Sequence, residues 1–150
     1  MPRGNIKMTY YFQYGTGLLD RTFDRRVDST RLEGQGLLKG WRLEFSREGG
    51  QPNLVQDVNA QVWGLLFLID EGKLDELSLV EQGGTRHEGE CSFEWEPEQC
   101  VFYTFPRNPS SPGAEYLNNL RTVYRQASLP QAQLDQALGI ATTVEAGQPR

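Results

Sequence analysis

The pattern of hydrophobic and polar positions along the chain predicts short strands. Residues 10–14 (YYFQY) form an aromatic run rich in strand-forming side chains, and the run ends at Gly15. Residues 41–45 (WRLEF) alternate between apolar and charged side chains, which is typical of a half-buried strand. Residues 62–69 (VWGLLFLI) are apolar on both faces. This last run is the best candidate for a central strand.

Turn-forming residues mark the breaks between these strands. Residues 31–40 contain three glycines, which predicts a loop on the surface. Asp57 and Asn59 predict a turn before the central strand. Residues 91–105 predict a hairpin of two strands, with its turn at residues 96–98 (EPE).

Helical spacing of apolar residues predicts four helices, over residues 19–27, 73–81, 114–126 and 130–139. The last of them begins at Pro130, a favoured first-turn residue, and ends at Gly139. Residues 140–150 are polar and aperiodic, so we expect a flexible tail after a single domain of residues 1–139. Strands with helices between and after them predict an α+β (mixed α/β) fold, a small mixed β-barrel or sheet with packed helices.

Composition and charge exclude several classes of function. The chain has 20 acidic and 15 basic residues, a net charge of −5, which disfavours binding to nucleic-acid phosphates. No apolar stretch approaches the roughly 20 residues of a membrane span, and the N-terminus lacks the apolar core of a secretory signal. Cys91 and Cys100 have no metal-binding spacing, and two cysteines do not make a disulfide scaffold. We therefore expect a cytoplasmic protein with two reduced thiols and no nucleic acid, membrane, metal or cofactor.

The chain contains one histidine, His87, on which any Ser-His-Asp, Cys-His or zinc chemistry would depend. It lies in the segment GGTRHEGE, where we expect a solvated loop residue. An enzyme built from this sequence would therefore work with carboxylates, hydroxyls and backbone amides.

The turn Gly15-Thr16-Gly17 connects the first predicted strand to the first predicted helix. A glycine turn that opens a helix directs free backbone N–H groups toward one point, where an anion or a developing oxyanion can bind. The dinucleotide-binding version needs a third glycine, but Asp20 stands at that position, so nucleotide binding is weakly supported. The alternative is a tight turn whose glycines serve geometry alone.

Glu81 is the second candidate for chemistry. It lies four residues after Leu77 and seven after Leu74, so the three share one helix face. A carboxylate on an inward face is unfavourable unless it is paired or used, and the helix dipole disfavours negative charge in a last turn. The alternative is that Glu81 reaches solvent at the rim or pairs with Arg86.

Several segments together carry a family resemblance. Residues 11–19 (YFQYGTGLL) are similar to the YFAYGSNL signature of the γ-glutamylcyclotransferase (AIG2-like) family. Further matches follow in the family's order: residues 41–45, 52–55 (PNLV), 62–67 (VWGLLF), the helix that ends at Glu81, and residues 110–117 (SSPGAEYL). The resemblance spans residues 9–138 and includes both candidate sites.

This resemblance implies a small barrel-like sheet with packed helices and an activity that cyclises a γ-glutamyl group. The products would be 5-oxoproline and an amine or amino acid, the α-amino group would be the nucleophile, and Glu81 would be the acid/base. Amides of the Gly15 loop would stabilise the oxyanion. We expect no cofactor, a small-molecule γ-glutamyl substrate, and a monomer or weak homodimer. The implied substrate-binding residues are Tyr11, Phe12, Gln13, Tyr14, Gly15, Thr16, Gly17 and Tyr116.

Three departures from the family pattern support an alternative. Gly17 replaces an asparagine of the signature, Gln82 stands where a glycine usually follows the glutamate, and no tyrosine comes shortly after it. The alternative is a non-catalytic binding or structural protein with this fold and a modified pocket.

Overall fold

The computed structural model describes residues 7–15 and 31–147, with the backbone alone for residue 80 and residues 140–147. Within these residues, five strands close into a barrel in the order β1-β3-β2-β4-β5. They are β1 (Met8–Gln13), β2 (Arg31–Arg47), β3 (Gln51–Asp70), β4 (Thr85–Phe93) and β5 (Glu96–Thr104). A 3-10 turn (Glu71–Lys73) leads into α1 (Leu74–Val80), and α2 (Ala114–Gln126) and α3 (Gln131–Gly147) follow the barrel. The predicted α+β class, a small mixed barrel with packed helices, is confirmed.

The prediction of a central strand over residues 62–69 is confirmed by β3. This strand pairs antiparallel with β1 on one side and with β2 on the other, so it lies between them in the sheet. Strand β1 closes the barrel through two parallel pairs with β5, Tyr10 opposite Cys100 and Tyr11 opposite Val101. Tyr11 therefore lies between β3 and β5, with 1% of its surface exposed.

The predicted surface loop over residues 31–40 is wrong, because these residues form the first half of β2. Their glycines allow irregularities in a strand. Gly34 and Gly40 adopt φ angles of +149° and +88°, and the β2–β3 register shifts beside each of them. At Gly36 a Cβ would lie 2.7 Å from Leu66 Cδ1, so this glycine permits close packing between the strands.

One predicted turn lies inside a strand, and another is wrong in position. Asp57 Oδ1 accepts the Asn59 N–H at 3.0 Å, as in an Asx turn, but both residues lie within β3, which remains paired on either side. The β4–β5 hairpin turns at Glu94 and Trp95, two positive-φ residues (51° and 70°), and not at residues 96–98. Positive φ at both central positions is the geometry of a type I′ turn, for which neither side chain is a strong sequence signal.

The predicted helices over residues 73–81 and 114–126 are confirmed within one or two residues. Helix α3 begins directly after Pro130, but it continues beyond Gly139, its predicted end, to Gly147. The division into a domain of residues 1–139 and a flexible tail stays a prediction. The predicted helix over residues 19–27 lies outside the described residues. No helix in the described part of the chain is long and apolar enough to cross a membrane.

His87 is not the solvated loop residue that its sequence context predicts, because it lies on β4. Its ring stacks on Phe102 (5.4 Å between centroids, 16° between planes) and meets the edge of Trp41 at 5.2 Å. Its Nε2 lies 2.8 Å from Thr104 Oγ1, and burial lowers the pKa of His87. These contacts give His87 a packing role on the barrel wall.

One hydrophobic core fills the barrel and continues beneath the helices. The free thiols of Cys91 and Cys100 lie in it, each about 1% exposed. Its largest fully buried side chains are Tyr11, Tyr124, Phe12, Phe45, Phe67, Phe102, Leu38, Leu66, Ile69, Leu77 and Leu120.

Candidate active site

Glu81 lies at the C-terminal cap of α1. Its N–H donates to the carbonyl of Leu77 at 2.9 Å, and its own carbonyl accepts from Gly84 N–H at 3.0 Å. Leu77, one turn earlier on the same helix face, is fully buried, so the helix is anchored on the face that bears Glu81. The carboxylate thereby reaches strand β1.

Two side chains of β1 meet this carboxylate. The Tyr11 hydroxyl donates to Glu81 Oε2, and Gln13 Nε2 lies 3.3 Å from the same oxygen. Gln13 Nε2 also donates to the Tyr11 hydroxyl oxygen at 2.5 Å. Tyr11 and Gln13 are two residues apart on a strand and therefore face the same side. Among the described residues, Glu81 is thus bound by Tyr11 and Gln13 and not by Arg86, the cation that the sequence offered as its partner.

The electrostatics of the site keep its tyrosines neutral. Burial, followed by the charge of Glu81 and the hydrogen bond to it, raises the pKa of Tyr11 well above its ordinary value. Burial and then Glu81 also raise the pKa of Tyr14, while the nearby charge of Arg47 opposes this shift. Tyr11 therefore stays protonated and acts as the donor to Glu81.

Two adjacent backbone amides at the end of β1 converge on one point. The N–H groups of Tyr14 and Gly15 both donate to Gln13 Oε1, each at 3.0 Å. These two converging N–H donors, called the nest below, can bind an oxyanion, as the sequence predicts for this loop. In this structure the oxygen at its focus belongs to the Gln13 side chain. A Cβ at Gly15 would lie 2.9 Å from Pro52 Cβ, so glycine is required here for close approach.

The remaining predicted site residues are placed as follows. Tyr116 is the third residue of α2, packs half-buried against the core, and lies near enough to Tyr14 to raise the pKa of that tyrosine. Phe12 is buried on the opposite side of β1 from Tyr11, and its ring stacks on Tyr14 at 6.4 Å. Phe12 is therefore not among the groups brought to Glu81. Thr16 and Gly17 lie outside the described residues.

The sequence did not predict the contacts that hold the segment between β5 and α2, the helix that bears Tyr116. Glu44 was expected on the charged face of a half-buried strand, but it is 1% exposed. Its oxygens accept from Arg107 Nε at 2.8 Å and Nη2 at 2.6 Å. Asn53 pairs with both backbone groups of Phe105, at 2.8 and 2.9 Å. The sequence signals for these contacts are an arginine in a proline-rich loop and an asparagine beside a proline. Neither signal shows with which residue the side chain will pair.

A comparison with protein families shows to which family the chain belongs. The model described as "Gamma-glutamyl cyclotransferase, AIG2-like" matches residues 11–122, about three quarters of the chain. The chain belongs to this family. The matched region of this γ-glutamyl cyclotransferase-like protein contains Tyr11, Gln13, Glu81 and Tyr116.

Solved structures share the fold of this family member. A protein described as a γ-glutamyl cyclotransferase superposes with a TM-score of 0.70 at 19% identity, over 87% of this chain and 86% of that one. An uncharacterised human protein gives 0.68 at 20% identity, over 85% of each chain. A yeast γ-glutamyl cyclotransferase specific to glutathione gives 0.56 at 13% identity, over 91% and 96%. At these identities the likeness establishes the fold. No curated protein matches the chain in sequence.

Proposed function

We propose that this protein is a γ-glutamyl cyclotransferase that releases 5-oxoproline and an amine or amino acid from a γ-glutamyl compound. The observation that supports the proposal most directly is the arrangement around the end of β1. Two backbone N–H donors face the Glu81 carboxylate across a space that holds one carboxamide group. Family membership and the fold support the same reaction class.

The first half of the reaction closes the ring. The substrate's α-amino nitrogen attacks its own γ-carbonyl carbon, a C–N bond forms, and the carbonyl electron pair moves onto the oxygen. The N–H groups of Tyr14 and Gly15 stabilise this oxyanion, and Glu81 accepts the proton that the attacking amine loses. Because nucleophile and electrophile belong to one molecule, holding them together is worth an effective concentration on the order of 10⁵ M or more.

The second half expels the amine. The oxyanion collapses, the original C–N bond breaks, and Glu81 returns the proton to the leaving nitrogen. The Tyr11 hydroxyl lies between the Glu81 carboxylate and the amide nitrogen of Gln13. It therefore holds Glu81 in place and can relay this proton. Glu81 ends as a carboxylate, ready for the next substrate. We assign binding of the γ-glutamyl portion to the segment of residues 11–17, together with Tyr116.

The first prediction tests this function with Glu81→Gln, which keeps the size of the side chain but cannot take a proton. Release of 5-oxoproline from a panel of γ-glutamyl amines, amino acids and peptides should fall by about 10²- to 10⁴-fold. Thermal stability should not decrease, because the substitution removes a half-buried charge. The matched control is Glu76→Gln on the same helix, where Glu76 forms an exposed pair with Lys73 and should leave turnover unchanged.

Two results would contradict the proposal in different ways. Near-parental turnover in Glu81→Gln would show that another group is the base. No 5-oxoproline from the parent with any member of the panel would favour a non-catalytic binding or structural protein with this fold.

A further inference from the structure

The Gln13 carboxamide is held at both ends within the cluster just described. It is 5% exposed. Its oxygen accepts from two backbone amides at 3.0 Å, and its nitrogen faces two acceptors, the Tyr11 hydroxyl oxygen at 2.5 Å and Glu81 Oε2 at 3.3 Å. Two donors at one end and two acceptors at the other fix the orientation of the group. The site is therefore complementary to a carboxamide whose oxygen points toward the Tyr14 and Gly15 amides and whose nitrogen points toward Glu81.

A glutamine side chain ends in the same functional group that a γ-glutamyl amide presents for cleavage. We propose that the Gln13 carboxamide is an internal ligand that occupies the place of the scissile amide, and that substrate must displace it to react. This inference rests on the proposed function for the identity of the displacing molecule. It deepens that function by placing the carbonyl oxygen of the substrate on the Tyr14 and Gly15 amides and its leaving nitrogen beside Glu81.

The same geometry defines the class of substrate. The leaving atom must carry a hydrogen, because the groups that face it are a carboxylate oxygen and a hydroxyl oxygen that already donates to that carboxylate. Amides with an N–H satisfy this condition. Esters and thioesters do not, because their leaving oxygen or sulfur carries no hydrogen and would face the oxygens of Glu81 and Tyr11. Competition from Gln13 also weakens binding, since apparent affinity falls in proportion to the fraction of molecules whose site is free.

A different role for Gln13 would be to stay in place and position Tyr11 and Glu81. The two roles predict different consequences of removing the side chain. If Gln13 only positions Tyr11 and Glu81, removing it disorders those two side chains, and KM for a γ-glutamyl amide does not fall. If Gln13 is an internal ligand, removing it frees the two amides, so KM falls and the vacated site also binds a free carboxamide.

The second prediction therefore concerns Gln13→Ala, a γ-glutamyl amide and propionamide, a small compound that carries the same carboxamide. Propionamide should raise the thermal midpoint of Gln13→Ala and bind it at least about tenfold more tightly than it binds the parent, and KM for the γ-glutamyl amide should fall by a similar factor. A tenfold change is the gain expected if Gln13 fills the site in about 90% of parent molecules. Propionate has the same shape but would bring a second carboxylate to Glu81, so it should not bind. Gln13→Leu fills the volume with an apolar side chain and should bind neither compound.

The outcomes separate the two roles. Equal propionamide affinity in Gln13→Ala and the parent, or a KM for the γ-glutamyl amide that does not fall in Gln13→Ala, would overturn the internal-ligand role. Equal affinity of Gln13→Ala for propionamide and propionate would do the same. Should Gln13→Ala not fold, Gln13→Val suits the strand, has no polar atom to reach the two amides and serves for the same measurements. The propionamide titration needs no turnover, so a parent that releases no 5-oxoproline would contradict the proposed function without deciding the propionamide result.

Discussion

At the scale of single residues, Tyr11 connects the two polar side chains of the site, Gln13 and Glu81. Its hydroxyl accepts from Gln13 and donates to Glu81, while its ring lies between Phe67 and Tyr103, with centroids 6.4 and 6.3 Å away. The packed ring leaves the hydroxyl one position, and burial together with Glu81 keeps it protonated. Orientation of the Glu81 carboxylate therefore depends on Tyr11.

The third prediction follows from this arrangement. Tyr11→Phe keeps the ring and removes the hydrogen bond to Glu81. A hydrogen bond to a charged group contributes about 1.5–3 kcal/mol, so kcat for 5-oxoproline release should fall by roughly ten- to a hundredfold. Tyr10→Phe, on the other face of the same strand with its ring 5.6 Å from Phe93, is the matched control and should keep parental kcat. Parental kcat in Tyr11→Phe would mean that Glu81 needs no help from this hydroxyl.

How much of the site could be predicted from sequence differs between its members. Glu81 could be predicted to face inward because it breaks two local rules, an acid on an apolar face and at a helix C-terminus. The convergence of the Gly15 loop amides could also be predicted. That Gln13 fills the nest could not, because it depends on one side-chain rotamer. Its only signal is a polar residue within an aromatic run, at the position where the family signature has alanine.

At the scale of elements, glycines let three strands approach each other. Gly36 of β2 lies directly opposite Gly64 of β3. A Cβ at Gly64 would lie 2.6 Å from the Gln13 carbonyl oxygen and 2.6 Å from Phe12 Cζ. The missing side chain at Gly64 therefore sets the position of the end of β1, from which the site is built. The β2 glycines predicted a loop because glycine is a sequence signal both for a loop and for a close contact between strands.

The fourth prediction concerns Gly64→Ala. Because the new Cβ would meet a backbone carbonyl and a rigid ring, neither of which can move aside easily, we expect a loss of roughly 1–3 kcal/mol in unfolding free energy. We also expect reduced 5-oxoproline release, since β1 must shift. Gly72→Ala, where the new Cβ would make only an ordinary contact at 3.4 Å from Asp70 Oδ1, is the matched control and should be neutral within about 0.5 kcal/mol in chemical denaturation. An unfolding midpoint for Gly64→Ala equal to that of Gly72→Ala would show that β1 is not held by this contact.

At the scale of the whole molecule, the segment after β5 is tied back to the β2–β3 hairpin. Asn53 pairs with the backbone of Phe105, and Arg107 reaches the buried carboxylate of Glu44, 63 residues earlier in the chain. The N–H of Ser110 donates to the carbonyl of Phe45 at 3.1 Å. These ties lead the chain into α2 and so place Tyr116 beside the loop of β1. Such contacts between distant segments have no periodic signature, and this explains why the sequence predicted the strands and helices better than the links between them.

The fifth prediction is the pH dependence that Glu44 gives to folding. Burial alone would raise the pKa of Glu44, but hydrogen bonds from Arg107, Ser46 and Arg42 and the charge of Arg107 together lower it below its ordinary value. A carboxyl whose pKa is lower in the folded state stabilises the fold above its unfolded pKa, about 4.3, and loses that contribution as pH falls through the folded pKa. Glu44→Gln should therefore be less stable than the parent by about 1–3 kcal/mol at pH 7, and the difference should shrink below about pH 4.

Urea denaturation at several pH values between neutral and about 3 would measure this difference directly. Glu33→Gln is the matched control, because Glu33 pairs with the largely exposed Arg31 and should change stability little at any pH. A difference between parent and Glu44→Gln that stays constant as pH falls would mean that Glu44 acts by shape and not by charge. A different outcome is that the difference shrinks in acid while 5-oxoproline release weakens in Glu44→Gln at neutral pH. That result would mean that the ion pair of Glu44 and Arg107 positions the helix that bears Tyr116. The ion pair and the active site would then be coupled through the segment of residues 105–112.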